Sequence, residues 1–141
     1  METTKQYAEL LKPLFDDYDK KFVPASEKQI SDFVEKCRQR NVPVFAQEQL
    51  VEFYRLTNGV PCLNGFSFHK IDDEILFEWW KDKVLWLGSC NDDVLRWADG
   101  CFCLGDASDI ILFDNEEYKF QTLIELLQKG FEEWYQDEYA N

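Results

Sequence analysis

Tyr54-Arg55-Leu56-Thr57-Asn58-Gly59 marks the point where the pattern of this chain changes. Before it, apolar residues recur at helical spacing. Leu50, Phe53 and Tyr54 fall on one face of a helix expected from about Gln47 to Thr57. Asn58-Gly59 is expected to close that helix, with Gly59 supplying a left-handed cap. After it the period shortens to two, as Phe66 and Phe68 alternate with Ser67 and His69. Helical periods first and strand periods second predict an α+β fold rather than alternating βαβ units.

Toward the N-terminus, residues 3–15 place Tyr7, Leu10, Leu11 and Leu14 on one helical face. Pro13 is expected to end or kink that helix early. A polar bridge runs from Asp16 to Lys21. Ser26 and Gln29 have the S-x-x-Q spacing of a capping box. Ile30, Phe33, Val34 and Cys37 follow at i, i+3, i+4, i+7, which predicts a helix over 27–39 with one buried face. Pro43 breaks the chain before the next helix.

Toward the C-terminus, short apolar runs alternate with polar turns. Ile75 to Phe77 leads into Trp79-Trp80. Val84 to Leu87 ends at Gly88, and Val94 to Trp97, Cys101 to Leu104 and Ile110 to Phe113 follow. No crossover helix fits between them, so the expectation is a central antiparallel meander of about five to six strands. Leu87-Gly88-x-x-x-Asp92-x-Val94-Leu95 recurs as Leu104-Gly105-x-x-x-Asp109-x-Ile111-Leu112, which reads as one turn chemistry used twice. A final helix is expected over about 119–136, with Phe120, Leu123, Ile124, Leu127, Phe131 and Trp134 as its stripe. Gly130 is its weak point, at a cost of about 1 kcal/mol relative to Ala.

The composition bounds what these elements build. At 141 residues, 45% apolar and 16% aromatic, the chain suits one domain over 1–141 with its own core. It carries 28 acids against 15 bases, a net of −13. Such a surface repels DNA, RNA and anionic membranes and attracts basic partners. The acidity is polarised: residues 105–141 hold ten acids and two bases, a net of −8. The five cysteines form no C-x-x-C, and METTKQYAEL has no apolar signal region, so a reducing cytoplasm is expected.

No chemistry-bearing constellation emerges. A thiol nucleophile needs a base beside it, and the single histidine, His69, falls on the polar side of a strand pattern, where a surface position is expected. Cys101 and Cys103 share a strand face, but four-ligand zinc spacing is missing. Asp72-Asp73, Asp92-Asp93 and Glu116-Glu117 read as solvated turn acids. The common nucleotide and hydrolase motifs are missing as well. The expectation is therefore no catalytic residue, no cofactor and no metal, and a binding protein rather than an enzyme. Neighbouring Trp79 and Trp80 face opposite sides of a strand, which leaves one free as an anchor. The candidate contact residues are Trp79, Trp80, Asp92, Asp93, Glu116 and Glu117.

At Tyr54 to Gly59 the sequence resembles the SUKH superfamily, the group of Smi/Knr-like proteins, through its aromatic-x-x-T-N-G signature. The resemblance extends over roughly residues 26–135. It includes Leu87-Gly88, Leu104-Gly105, Asp109 to Asp114 and the helical stretch Phe120 to Leu127. Ala46-Gln47 stands where the family often has Leu-Pro. The resemblance implies N-terminal helices, a meandering sheet, a closing helix and a non-enzymatic role. Many bacterial members look like immunity proteins that block a cognate toxin, often a nuclease; others are regulatory interaction modules. The expected function is thus an intracellular immunity protein that neutralises a cognate toxin, itself expected to be basic. A regulatory or scaffolding module is the alternative, and a carboxylate-based hydrolase a more distant one.

Overall fold

The computed structural model describes residues 2–63, 65–77, 84–90, 93–98, 100–106 and 118–139. Its helices are α1 (Glu2–Asp17), α2 (Glu27–Gln39), α3 (Val44–Leu56) and α4 (Leu123–Tyr139). Between α3 and α4 run β1 (Val60–Leu63), β2 (Phe66–Phe68), a 3-10 turn (Glu74–Phe77), β3 (Val84–Cys90), β4 (Asp93–Ala98), β5 (Cys101–Asp106) and β6 (Tyr118–Phe120). The strands form one six-stranded sheet in the order β1-β2-β3-β4-β5-β6, every neighbouring pair antiparallel. This is the expected α+β meander with helices before it and one after.

Helix α1 does not stop at Pro13 but continues to Asp17. An interior proline costs about 3 kcal/mol. Burying Leu14 and Phe15 behind it returns about 1.5–3 kcal/mol each, and both are buried, with Tyr7 and Leu11. Helix α2 keeps both halves of its capping box. Gln29 N donates to Ser26 Oγ at 3.1 Å and Ser26 N donates to Gln29 Oε1 at 2.8 Å. Ile30, Phe33 and Cys37 are buried beneath it.

Helix α3 begins at Val44, a turn earlier than its periodicity suggests. Val44 and Phe45 are 63% and 59% exposed, so this first turn is apolar on its outer side and breaks the pattern. Pro43 fits the N-cap position, and Gln47, buried, donates from Nε2 to Val42 O at 2.7 Å. The helix ends at Thr57, which is extended (φ −151°) and whose N–H reaches Phe53 O. Gly59 is therefore not the helix cap. Its φ of +78° serves a close approach instead: a Cβ there would lie 2.7 Å from Phe68 O and 3.0 Å from Lys70 N.

Other expectations are corrected in the sheet and in the last helix. Ile75 to Phe77 is a 3-10 turn, not a strand, because Asp73 initiates it: Ile75 N donates to Asp73 Oδ1 (3.1 Å) and Leu76 N to Asp73 O (3.2 Å). β1 went unforeseen because Val60 and Leu63 are buried while Pro61 and Cys62 between them are exposed, an irregular pattern with a register shift. As the edge strand it tolerates Pro61. β3 runs through Gly88 rather than ending there. Gly88 pairs with Phe68 and Leu95, and a Cβ on it would fall 2.1 Å from Ser67 O. Gly105 also lies inside a strand, paired with Val94. The glycines of the repeated pattern thus belong to strands, not turns; Asp109 to Leu112 and the expected strand Ile110 to Phe113 lie outside the described residues. Phe120 belongs to β6, opposite Phe102, not to the last helix. The switch occurs at Thr122, whose Oγ1 accepts from Glu125 N (3.4 Å), while Leu123 N donates to Gln49 Oε1 (2.7 Å). Gly130 does not break α4, and its carbonyl accepts from Cys90 Sγ at 3.3 Å.

The core lies between the helices and one face of the sheet. Phe53 stacks obliquely on Phe68 (centroids 4.2 Å apart) and Phe66 on Phe131 (4.7 Å). Leu85, Leu87, Leu95, Trp97, Phe102 and Leu104 complete that face. The opposite face is buried as well: Val84, Val94, Cys103 and Arg96 are each nearly inaccessible. In register, Arg96 lies between Trp86 and Cys103.

Candidate interaction site

Strand register decides which charged residues share a neighbourhood. Asp93 opens β4 and pairs with Asp106, the last residue of β5; on its other side Asp93 pairs with Cys90, and Cys90 with Phe66. This end of the sheet therefore sets two acidic positions opposite each other in adjacent strands. Of the six candidate contact residues, Asp93 is described, and it is half-buried. Trp79, Trp80, Asp92, Glu116 and Glu117 lie outside the described residues. Val84, where β3 begins, is at the far end of that strand from Cys90. A seven-residue strand spans roughly 20 Å, so Val84 and Asp93 stand at opposite ends of the sheet.

His69 is not the surface residue expected. It is half-buried, packs edge-on against Trp86 (centroids 5.9 Å), and its Nε2 is buried with no hydrogen-bond partner. Burial pushes its pKa below the usual histidine range, and Asp73 opposes that only in part. Its backbone is fixed on both sides: His69 N donates to Leu87 O (2.7 Å) and its carbonyl accepts from Tyr54 Oη (2.7 Å). Burial raises the phenol of Tyr54 well above its ordinary value and pushes the Cys37 thiol up to about 12. Both groups are held neutral at physiological pH, and a thiol held protonated is a poor nucleophile. Cys90 and Cys103 are buried, Cys101 half-buried and Cys62 exposed. Among the described residues no group of three or more His, Cys, Asp or Glu is placed to hold a metal ion. Asp72 and Asp73 are exposed, as the turn reading expects.

The sequence reading missed a cationic concavity at the Thr57–Gly59 corner. A cavity of about 300 Å³ is lined there by Lys20, Lys21 and Lys70 over Phe15, Val23, Pro61 and the Thr57-Asn58-Gly59 backbone. The corner is tied by bonds distant in sequence. Asn58 N donates to Val23 O (2.7 Å), Ile71 N donates to Asn58 Oδ1 (2.8 Å), and Thr57 Oγ1 donates to Gly59 O (3.0 Å). The adjacent Lys20-Lys21 was the only trace of it in sequence, since Lys70 is fifty residues away along the chain.

The chain matches no family model, no curated protein and no solved structure in comparisons with each. Among the described residues no helix is long and apolar enough to cross a membrane.

Proposed function

We propose that this chain is a protein-binding domain of the immunity type, which holds a basic toxin, such as a nuclease, through an acidic surface around the Asp93–Asp106 end of the sheet. The observation that carries this reading is the polarised charge. Ten of the 28 acids and only two of the 15 bases fall in residues 105–141, and that stretch begins where Asp106 faces Asp93. An acidic surface speeds encounter with a basic partner and can occupy the sites where a nuclease grips phosphate. The SUKH-like signature at Tyr54 to Gly59 supports the same reading, and it extends the reading from binder to toxin antagonist.

The test is co-expression with each candidate toxin encoded by a neighbouring gene. The expected result is protected cells and a complex that survives gel filtration, with an association rate that falls as salt rises. Absence of both binding and protection against every adjacently encoded toxin would sink the reading. A complex whose association rate does not respond to salt would remove the acidic surface as its basis.

A further inference from the structure

We infer that the Thr57–Gly59 corner is an anion site for a phosphorylated small molecule, away from the Asp93–Asp106 end of the sheet. Three independent observations converge on it. First, Lys20 and Lys21 from the segment after α1 and Lys70 from the segment after β2 line one cavity of about 300 Å³. That is the lower end of small-molecule pockets, which run from roughly 300 to 1,000 Å³.

Second, among the described residues these three lysines make no ion pair, although the chain holds 28 acids. Lys12, Lys28, Arg38 and Arg55, by contrast, each pair with a carboxylate. Three cations on the lining of one cavity, none of them in an ion pair among the described residues, attract a multiply charged anion more strongly than a singly charged one. A carboxylate brings a single charge, whereas a phosphomonoester brings nearly two and several acceptor oxygens. Lysine ammonium groups suit such an anion as point charges.

Third, the wall is preorganised. Gly59 is locked at positive φ with no space for a Cβ, and Asn58 is bonded to both Val23 and Ile71. Lys20 N is itself held by Phe15 O at 2.8 Å. The backbone that carries the lysines is therefore fixed before a ligand arrives, so less ordering entropy is lost on binding. The apolar part of the lining, Phe15, Val23 and Pro61, gives the non-phosphate part of the molecule something to rest on. The site stands at the end of β1 and β2 away from Asp93, so it does not depend on the toxin-binding reading.

The experiment is an NMR titration of the isotope-labelled full chain with inorganic phosphate, adenosine 5′-monophosphate and adenosine in parallel. The expected result is saturable shifts for the phosphate-bearing probes at Lys20 to Val23, Thr57 to Gly59 and Lys70. The monophosphate should bind more tightly than phosphate, and adenosine should give none. Lys70→Gln should weaken binding about tenfold, the loss typical of one charge-assisted contact. The combined Lys20→Gln/Lys21→Gln/Lys70→Gln variant, all at surface positions, should abolish it while leaving the spectrum otherwise folded. No saturable shift up to about 10 mM would overturn the proposal. So would equal shifts at Lys5 or Lys119, or binding that survives in the triple variant. Tighter binding of inorganic phosphate than of the monophosphate would overturn the role of the apolar wall.

Discussion

The basic corner, beside β1 and β2, and the acidic end, where β4 meets β5, lie on either side of β3 and are assembled in opposite ways. The corner draws on three stretches of chain, Phe15 to Val23, Thr57 to Pro61 and Lys70-Ile71, held by bonds between residues far apart in sequence. The acidic end comes from successive strands, Asp93 of β4 beside Asp106 of β5, through nearest-neighbour pairing. One region is a knot and the other a fold-back. A charge cluster produced by fold-back can be read from sequence, because turns bring neighbours together. A cluster produced by a knot cannot, because nothing local predicts that Lys70 lines the same cavity as Lys20.

Substitutions should separate the two regions, and the largest effect is expected at the strand that joins them. Gly88→Ala places a methyl 2.1 Å from Ser67 O, so β2 must move away from β3. The expected loss is about 4 kcal/mol or more in urea unfolding, the range of severe backbone clashes. A loss below about 1 kcal/mol would show that the β2–β3 crossing is looser than its geometry. Gly59→Ala combines positive φ with an overlap of 2.7 Å against Phe68 O. A cost of about 2–3 kcal/mol is expected, with hydrogen-exchange protection lost at Ile71 and kept at Leu95 and Leu104. If protection fell equally at both ends, the corner would not be an independent knot.

Asn58→Ala removes the acceptor of Ile71 N and should cost about 1–2 kcal/mol, measurable in the same unfolding experiment. Protonation of His69 bears on the same side of the molecule. Its folded pKa lies below the unfolded value near 6.5, so the unfolded chain binds the proton more readily. Stability contributed by neutral His69 is full above about pH 6.5 and is lost as pH falls below it. His69→Gln should flatten that part of a stability–pH curve, and an unchanged slope would place its origin elsewhere. The smallest effect is at the acidic end. Asp93→Asn leaves the strand pairing with Asp106 in place and should change stability by less than about 0.5 kcal/mol, while slowing association with a basic partner. A larger loss of stability would mean that the fold depends on the charge of Asp93.

The helices were legible because their buried residues repeat at a fixed period and Ser26-x-x-Gln29 announces a start. The failures share a cause: a residue whose local preference is overruled by something distant. Pro13 reads as a stop until Leu14 and Phe15 are seen to be buried beyond it. Gly88 reads as a turn until Ser67 is found against it. Phe120 fits a helical stripe, but Phe102 claims it for the sheet. Of the candidate site, the acidic polarity was legible in sequence, but Asp93 read as a solvated turn acid until strand pairing placed it, half-buried, at the start of β4. Nothing in the sequence signalled that His69 packs against Trp86 or that three lysines line one cavity.

The bond from Leu123 N to Gln49 Oε1, together with the packing of α4 against α1, sets an order of events during synthesis. The strands can zip up in the order in which they leave the ribosome, each onto the one before. The helical layer cannot be finished that way, because Leu123, Leu126, Leu127 and Phe131 belong to the core that α1 and α3 line. Until the last helix emerges, a nascent chain of this protein carries an open apolar seam, a natural target for a chaperone. Stalled chains ending before Leu123 should therefore bind a hydrophobic dye, and released full-length chains should not.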